Sequence, residues 1–233
     1  RNNGDGTFTD VSKQLGLDDP QGYYGMQPVL SDFGNSGRLD VYVANDSTPN
    51  FFYRNAGKGK FLDESLISGT AVSGDGSEQG SMGVAIGDYL HTGNFAIYVT
   101  NFVDEYNTLY RNNGNYDFTD VSFNAKVAQP TRPYVGWGTG FFDLDNDTWL
   151  DLFVVNGHVY PAVDKQQWGT SYAQQALLFR NQANGKFERM AAAPNSGLGQ
   201  AYLGRGLAVG DLDGDGRPDA VINNIDSHPA ILK

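Results

Sequence analysis

The sequence predicts an all-β fold, a β-propeller of four blades, on three observations. A block of about 55 residues recurs four times, a second block follows each loop of the first, and the composition is that of strands and turns. The first block reads SDFGNSGRLDVYVAN from Ser31, GDYLHTGNFAIYVTN from Gly87, FDLDNDTWLDLFVVN from Phe142 and GDLDGDGRPDAVINN from Gly210. Each copy carries an Asp in register (Asp32, Asp88, Asp143, Asp211) and an Asn thirteen residues later (Asn45, Asn101, Asn156, Asn224). The second block reads FFYRNAGKGKF, TLYRNNGNYDF and LLFRNQANGKF, repeating Arg54, Arg111 and Arg180, then Phe61, Phe118 and Phe187. Thirty glycines, thirteen tyrosines and fourteen phenylalanines suit short strands joined by tight turns.

Within a repeat, short β-branched and aromatic runs predict a strand before the acidic loop and another after it. The Arg-Asn run predicts a third, and the residues from the recurring Phe a fourth. Only SYAQQALLF, residues 171–179, offers a hint of helical periodicity. The repeats run approximately 13–66, 67–123, 124–192 and 193–233, the last joined by 1–12, all in one propeller or propeller segment. The chain opens on RNNGDGTF, with Arg1 and Phe8 in the phase of the second block, and ends on AILK. Joined, AILK and RNNGDGTFTDVS read as a repeat in register, so the last blade is expected to be split between the two termini. Three arrangements satisfy that edge: closure within one chain, a place in a larger propeller, or completion of the next subunit's blade. The last makes a head-to-tail homo-oligomer or filament.

The loop DLDGDGRPD, Asp211 to Asp219, opens like an EF-hand, but position 12 is Ile222 where a bidentate Glu is required, and the flanks read as strands. What remains is a strand–loop–strand turn with carboxylates at Asp211, Asp213, Asp215 and Asp219 and a backbone carbonyl from Arg217. The third loop has the same set: Asp143, Asp145, Asp147 and Asp151, with the Trp149 carbonyl. Ca²⁺ accepts six to eight hard oxygens in flexible geometry, whereas Mg²⁺ demands a tight octahedron, so two Ca²⁺ sites are expected. The loops at Asp32 and Asp88 are degenerate. The first keeps only Asp32 and Asp40, and the second keeps only Asp88, so hydrogen bonds from Ser36, Thr92 and Asn94 are expected to hold those turns. The metal role is structural, because a fully coordinated ion leaves no open position for substrate.

The pattern in GRGLAVGDLDGDGRPD resembles the FG-GAP (VCBS-type) repeats of integrin α-chain propellers. LYRNNGNYDFTDVS, VVNGHVYPAVD and LLFRNQANGKFE are similar to the blades of the cartilage acidic protein 1-like (ASPIC/UnbV-associated) family. The resemblance covers the whole chain. It implies a calcium-binding propeller, secreted or on the cell surface, non-enzymatic, and concerned with adhesion or matrix contact. The chain has repeats for four blades where propellers of that family have about seven, and it lacks their downstream domain.

A net charge of −11, which two Ca²⁺ would bring to about −7, argues against nucleic acid as a partner. The chain has no cysteine, so metal takes the place of a disulfide frame, and no apolar run reaches membrane-spanning length. Asn45-Asp46-Ser47 is a glycosylation sequon, although Asn45 is also the recurring Asn of its repeat; Asn146-Asp147-Thr148 is a second, inside a metal loop. No nucleophile elbow, phosphate loop or histidine cluster is present, so no enzyme is expected. The long connection 157–178 in the third repeat, with His158, Tyr160 and Trp168, is the candidate binding loop for a protein or glycan partner. An enzymatic or glycan-binding module would act through it.

Overall fold

The computed structural model describes residues 1–166 and 168–233, and it is all-β. Strands β1 (Tyr24–Ser31), β2 (Asp40–Asp46), β3 (Phe51–Gly57) and β4 (Lys60–Asp63) form the first antiparallel blade in that order. Strands β5 (Val84–Gly87), β6 (Ala96–Val99), β7 (Thr108–Asn112) and β8 (Phe118–Asp120) form the second. The third contains β9 (Gly136–Phe142) and β10 (Asp151–Asn156); after β11 (Gln174–Gln175) it continues with β12 (Leu177–Asn181) and β13 (Phe187–Arg189). A two-residue strand, β14 (Ala201–Tyr202), pairs with β11. The fourth blade has β15 (Gly204–Gly210), β16 (Asp219–Asn224) and β17 (Ala230–Leu232). Four small antiparallel sheets thus make a four-blade propeller arrangement.

Period-two alternation puts one apolar row of each blade against the next. Tyr42, Ala44 and Phe52 of blade one pack on Val84, Ile97, Val99 and Phe118 of blade two. Tyr89, Tyr98 and Leu109 of blade two meet Leu152, Val154, Phe179 and Phe187 of blade three. Phe153 and Leu178 of blade three meet Ala220 and Ile222 of blade four. Burying each of the larger side chains stabilises the fold by roughly 1.5–3 kcal/mol. The inner strands β1, β5, β9 and β15 converge on one central cavity of about 360 Å³, bordered by Met26, Gln27, Met82, Trp137, Arg205 and Leu207. Arg205 lies over the Trp137 ring, 4.3 Å from its centroid, and donates to the carbonyls of Gly157 and His158.

Glycine is what lets those inner strands approach. A Cβ on Gly83 would fall 1.9 Å from the Trp137 carbonyl oxygen, and one on Gly138 would fall 2.6 Å from the Leu207 nitrogen. Neither is in a left-handed conformation, so the demand there is close backbone contact rather than an unusual φ.

The structure departs from expectation in three places. SYAQQALLF is not helical: Gln174–Gln175 and Leu177–Asn181 are strands. Leu177 and Phe179 face blade two while Leu178 faces blade four, an alternation only a strand provides. Nor does the N-terminal segment complete the fourth blade, which has three strands among the described residues. Arg1–Thr9 forms its own small hairpin, with Asn2 bridged to Phe8. The next segment, α1 (Ser12–Leu15), is held on blade one, where Lys60 Nζ donates to the Gln14 carbonyl at 2.9 Å. Third, the join of AILK to RNN is out of register by one. Ala220 pairs with Leu232 as Leu152 pairs with Phe179, so Lys233 itself occupies the repeat position of Arg180.

Candidate metal centres

All four acidic loops share a backbone design. The first Asp accepts amide hydrogen bonds from loop positions five and six: Ser36 and Gly37 on Asp32, Thr92 and Gly93 on Asp88, Asp147 and Thr148 on Asp143, Asp215 and Gly216 on Asp211. Position six needs positive φ to aim its amide inward, and Gly37, Gly93 and Gly216 provide it at no steric cost; Thr148 adopts it at φ 75°. These amides hold Asp211 below the usual carboxylate range, the Gly216 bond contributing most. The degenerate loops are therefore fastened chiefly by amides to Asp32 and Asp88. Thr92 adds a longer hydroxyl contact of 3.4 Å to Asp88, and Asn94 donates through its backbone to Thr92 Oγ1.

The residue at position four ties each loop to the next. Asn35 Nδ2 donates to the Gly93 carbonyl at 3.1 Å, His91 Nε2 lies 2.8 Å from the Thr148 carbonyl, and Asn146 Nδ2 donates to the Gly216 carbonyl at 3.0 Å. His91 also stacks on Trp149, with ring centroids 4.2 Å apart. The four loops form one continuous row across the blades. Sequence reasoning missed this; its only signal was a polar or glycine residue always in that position.

The two complete loops differ from the others in what their carboxylates do. Oxygens of Asp143, Asp145 and Asp151 lie within 4.8 Å of one another, as do those of Asp211, Asp213 and Asp215. Asp147 and Asp219, expected in the same sets, stand outside those groups: Asp147 accepts from the Trp149 amide and Asp219 from the Leu212 amide. Arg217 turns its side chain back onto Asp215 at 2.9 Å. A basic side chain from the neighbouring strand reaches each cluster: Arg180 pairs with Asp145, and Lys233 with Asp213. In the first blade the matching Arg54 pairs instead with Glu64 at 2.7 Å, and in the second Arg111 Nε donates to Asn113. A cation is thus drawn to the loop only where three carboxylates converge. Hard oxygens alone, in a loop that can flex, fit Ca²⁺; the chemistry such an ion supplies is charge neutralisation and cross-linking of the turn. Asp151 is 1% exposed, and burial pushes its carboxyl up, so a cation nearby would relieve a real cost.

The other expected sites fall as follows. Asn45 is fully buried and its Nδ2 donates to the Pro49 carbonyl, so the nitrogen a glycan needs is inaccessible in this fold. His158 is 2% exposed; its Nδ1 accepts from the Tyr160 amide and its ring meets Phe102 edge-on, so it anchors the long loop from within. Tyr160 and Trp168 are exposed, at 57% and 62%. Position 167 of the 157–178 loop lies outside the described residues.

Gly34 is not a spare position in the first loop. A Cβ there would fall 2.1 Å from Tyr116 Cζ of the neighbouring blade. Gly34→Ala is therefore expected to lower the melting temperature by several degrees while leaving bound calcium unchanged. Thermal melts and calcium counting on the same variant check both halves.

With this geometry in view, the comparisons with known proteins agree on the fold. Residues 168–222 match the FG-GAP-like repeat, a stretch that contains the fourth acidic loop and most of blade four. The chain is 26% identical over 223 residues, 94% of its length, to cartilage acidic protein 1 of Xenopus tropicalis. It is 26% identical over the same span to the Homo sapiens protein. It covers 31% and 30% of those two relatives, so it corresponds to about a third of their length. Among solved structures it is similar to an Agrocybe aegerita lectin described as recognising non-reducing terminal N-acetylglucosamine. That likeness has a TM-score of 0.53 and 17% identity, and covers 86% of this chain and 47% of the other. It shows a shared fold.

Proposed function

We propose that this chain is a non-enzymatic, calcium-stabilised propeller module of the extracellular space, serving in binding or assembly. The observation that carries the metal reading is the pair of carboxylate clusters, Asp143, Asp145 and Asp151 on one blade and Asp211, Asp213 and Asp215 on the next. They sit in a row of loops that contact one another. Metal at two points of that row fastens the turns of adjacent blades, so rigidity of this rim depends on the ion. The FG-GAP-like repeat supports the binding or assembly role, and the likeness to proteins named for cartilage supports an extracellular setting. No helix is long and apolar enough to cross a membrane.

Calcium titration followed by thermal melting tests this reading. At about a hundred times the dissociation constant each site adds roughly 2.7 kcal/mol. At roughly 2–4 °C per kcal/mol for a domain of this size, two sites raise the melting temperature by about 10 °C or more. A flat titration would sink the reading. The exposed Tyr160 and Trp168 favour a second reading of the long loop as a contact surface for a glycan or protein; glycan-array binding that survives Trp168→Ala would contradict it.

A further inference from the structure

We infer that the free edge of β17 and the hollow beside it receive the N-terminal hairpin, Arg1–Asp10, of a second copy of this chain. The inference gives the assembly role just proposed a specific contact, and rests on it to that extent.

The hollow is defined by what fills its counterparts. Phe118 of the second blade packs on Phe33, the second loop residue of blade one, and on Phe52 of β3, at 6.0 and 5.5 Å between centroids. Phe187 of the third blade packs likewise on Tyr89, at 5.4 Å, in a cluster that includes Leu109. The equivalent positions one blade further on are Leu144 and Leu178. They border a cavity of about 290 Å³ together with Phe142, Phe153 and Leu232. The chain's other Phe of this phase, Phe8, is 76% exposed.

Polar groups repeat the same story. The carboxylates of Asp40 and Asp151 each accept two amides, from Phe33 and Asn55 and from Leu144 and Asn181. Asp219, 6% exposed, accepts the Leu212 amide on one oxygen, and its other oxygen has no partner among the described residues. Asn112 Nδ2 bonds the carbonyls of Phe33 and Phe95, and Asn181 Nδ2 those of Tyr89 and Leu150. The matching carbonyls in blade four, Leu144 and Pro218, accept nothing among the described residues. The Asn of the same phase is Asn2.

The hairpin that would fit is already shaped. Asn2 Oδ1 accepts from the Gly4 amide at 2.8 Å, as Asn112 does from Gly114 at 2.9 Å and Asn181 from Ala183 at 3.0 Å. The hydrogen bonds of Arg1–Thr9 all close within the segment, so little ordering is required on docking. Arg1 and Lys233 occupy the same repeat position, so docking exchanges one cation for the other at Asp213. Seating the hairpin also sets the second copy's first blade beside this fourth blade, where Leu30 of one and Ile231 of the other, 58% and 60% exposed, become buried. The contact is heterologous, so it closes as a ring or extends as a chain of copies.

Two variants alter only exposed side chains: Phe8→Asp spoils the hairpin and leaves the hollow, and Ile231→Lys spoils the receiving face and leaves the hairpin. Light scattering of the full chain in calcium should give a mass at least twice the 25.3 kDa of one chain. Each variant alone should stay at one chain, and their equimolar mixture should form a capped pair of about twice that mass. A wild-type chain that remains single at every concentration overturns the inference, as does a mixture that stays single while the wild type assembles. Calcium-dependent melting reports separately. A calcium-shifted melt with single chains sinks only the docking, and doubled mass with a calcium-independent melt sinks only the metal reading.

Discussion

Asp145→Ala and Asp213→Ala are each expected to abolish about half of the calcium-dependent rise in melting temperature. Each residue contributes an oxygen to a different cluster, and each is neutralised in the metal-free fold by one basic side chain, Arg180 or Lys233. Removing the carboxylate takes one of three converging oxygens and leaves that cation without its partner. The two clusters lie on adjacent blades, and Asn146 links their loops. Loss at one is therefore expected to loosen the other, and the double variant should fall short of simple addition. The sign in the absence of metal is opposite. Carboxylates crowded within 4.8 Å repel one another, so with chelator present either variant should melt no lower than the wild type, apart from the lost surface pair, worth about 0–1 kcal/mol. Melts of both variants with calcium and with chelator separate these contributions.

Gly138→Ala carries the second large effect. The added methyl would meet the Leu207 nitrogen at 2.6 Å, the Gly206 carbonyl carbon at 2.9 Å and the Arg205 oxygen at 3.1 Å. All three are backbone atoms of β15, so no side chain can swing away. The blades must part, which strains the junction of blades three and four and the Arg205–Trp137 stack above it. Overpacking of this kind costs about 1–3 kcal/mol or more, a fall of roughly 5–10 °C. Gly83→Ala should behave alike, against the Trp137 carbonyl at 1.9 Å. Gly210→Ala is the control: nothing lies within 4 Å of its Cβ and its melt should match the wild type.

Much of this was legible because the chain says the same thing several times. The recurring Asp and Asn fix loop and strand positions, so the blades, their strand order and the difference between complete and degenerate loops could be read without coordinates. What escaped the sequence depends on neighbours in space rather than in the chain. Gly83 and Gly138 look like any glycine of a β-rich protein until the next inner strand is placed against them. The links from Asn35, His91 and Asn146 cross between blades, some fifty to seventy residues apart. SYAQQALLF misled because two apolar rows, each facing a different blade, give a continuous run that mimics a helix. Asn45 carried two readings, and only its burial decides for the structural one.

The most direct test of the calcium-stapled propeller is to count the ions by native mass spectrometry. Two calcium ions per chain are expected, falling to one in Asp145→Ala and one in Asp213→Ala. No specifically bound calcium in the wild type, or a count unchanged by both substitutions, would contradict it.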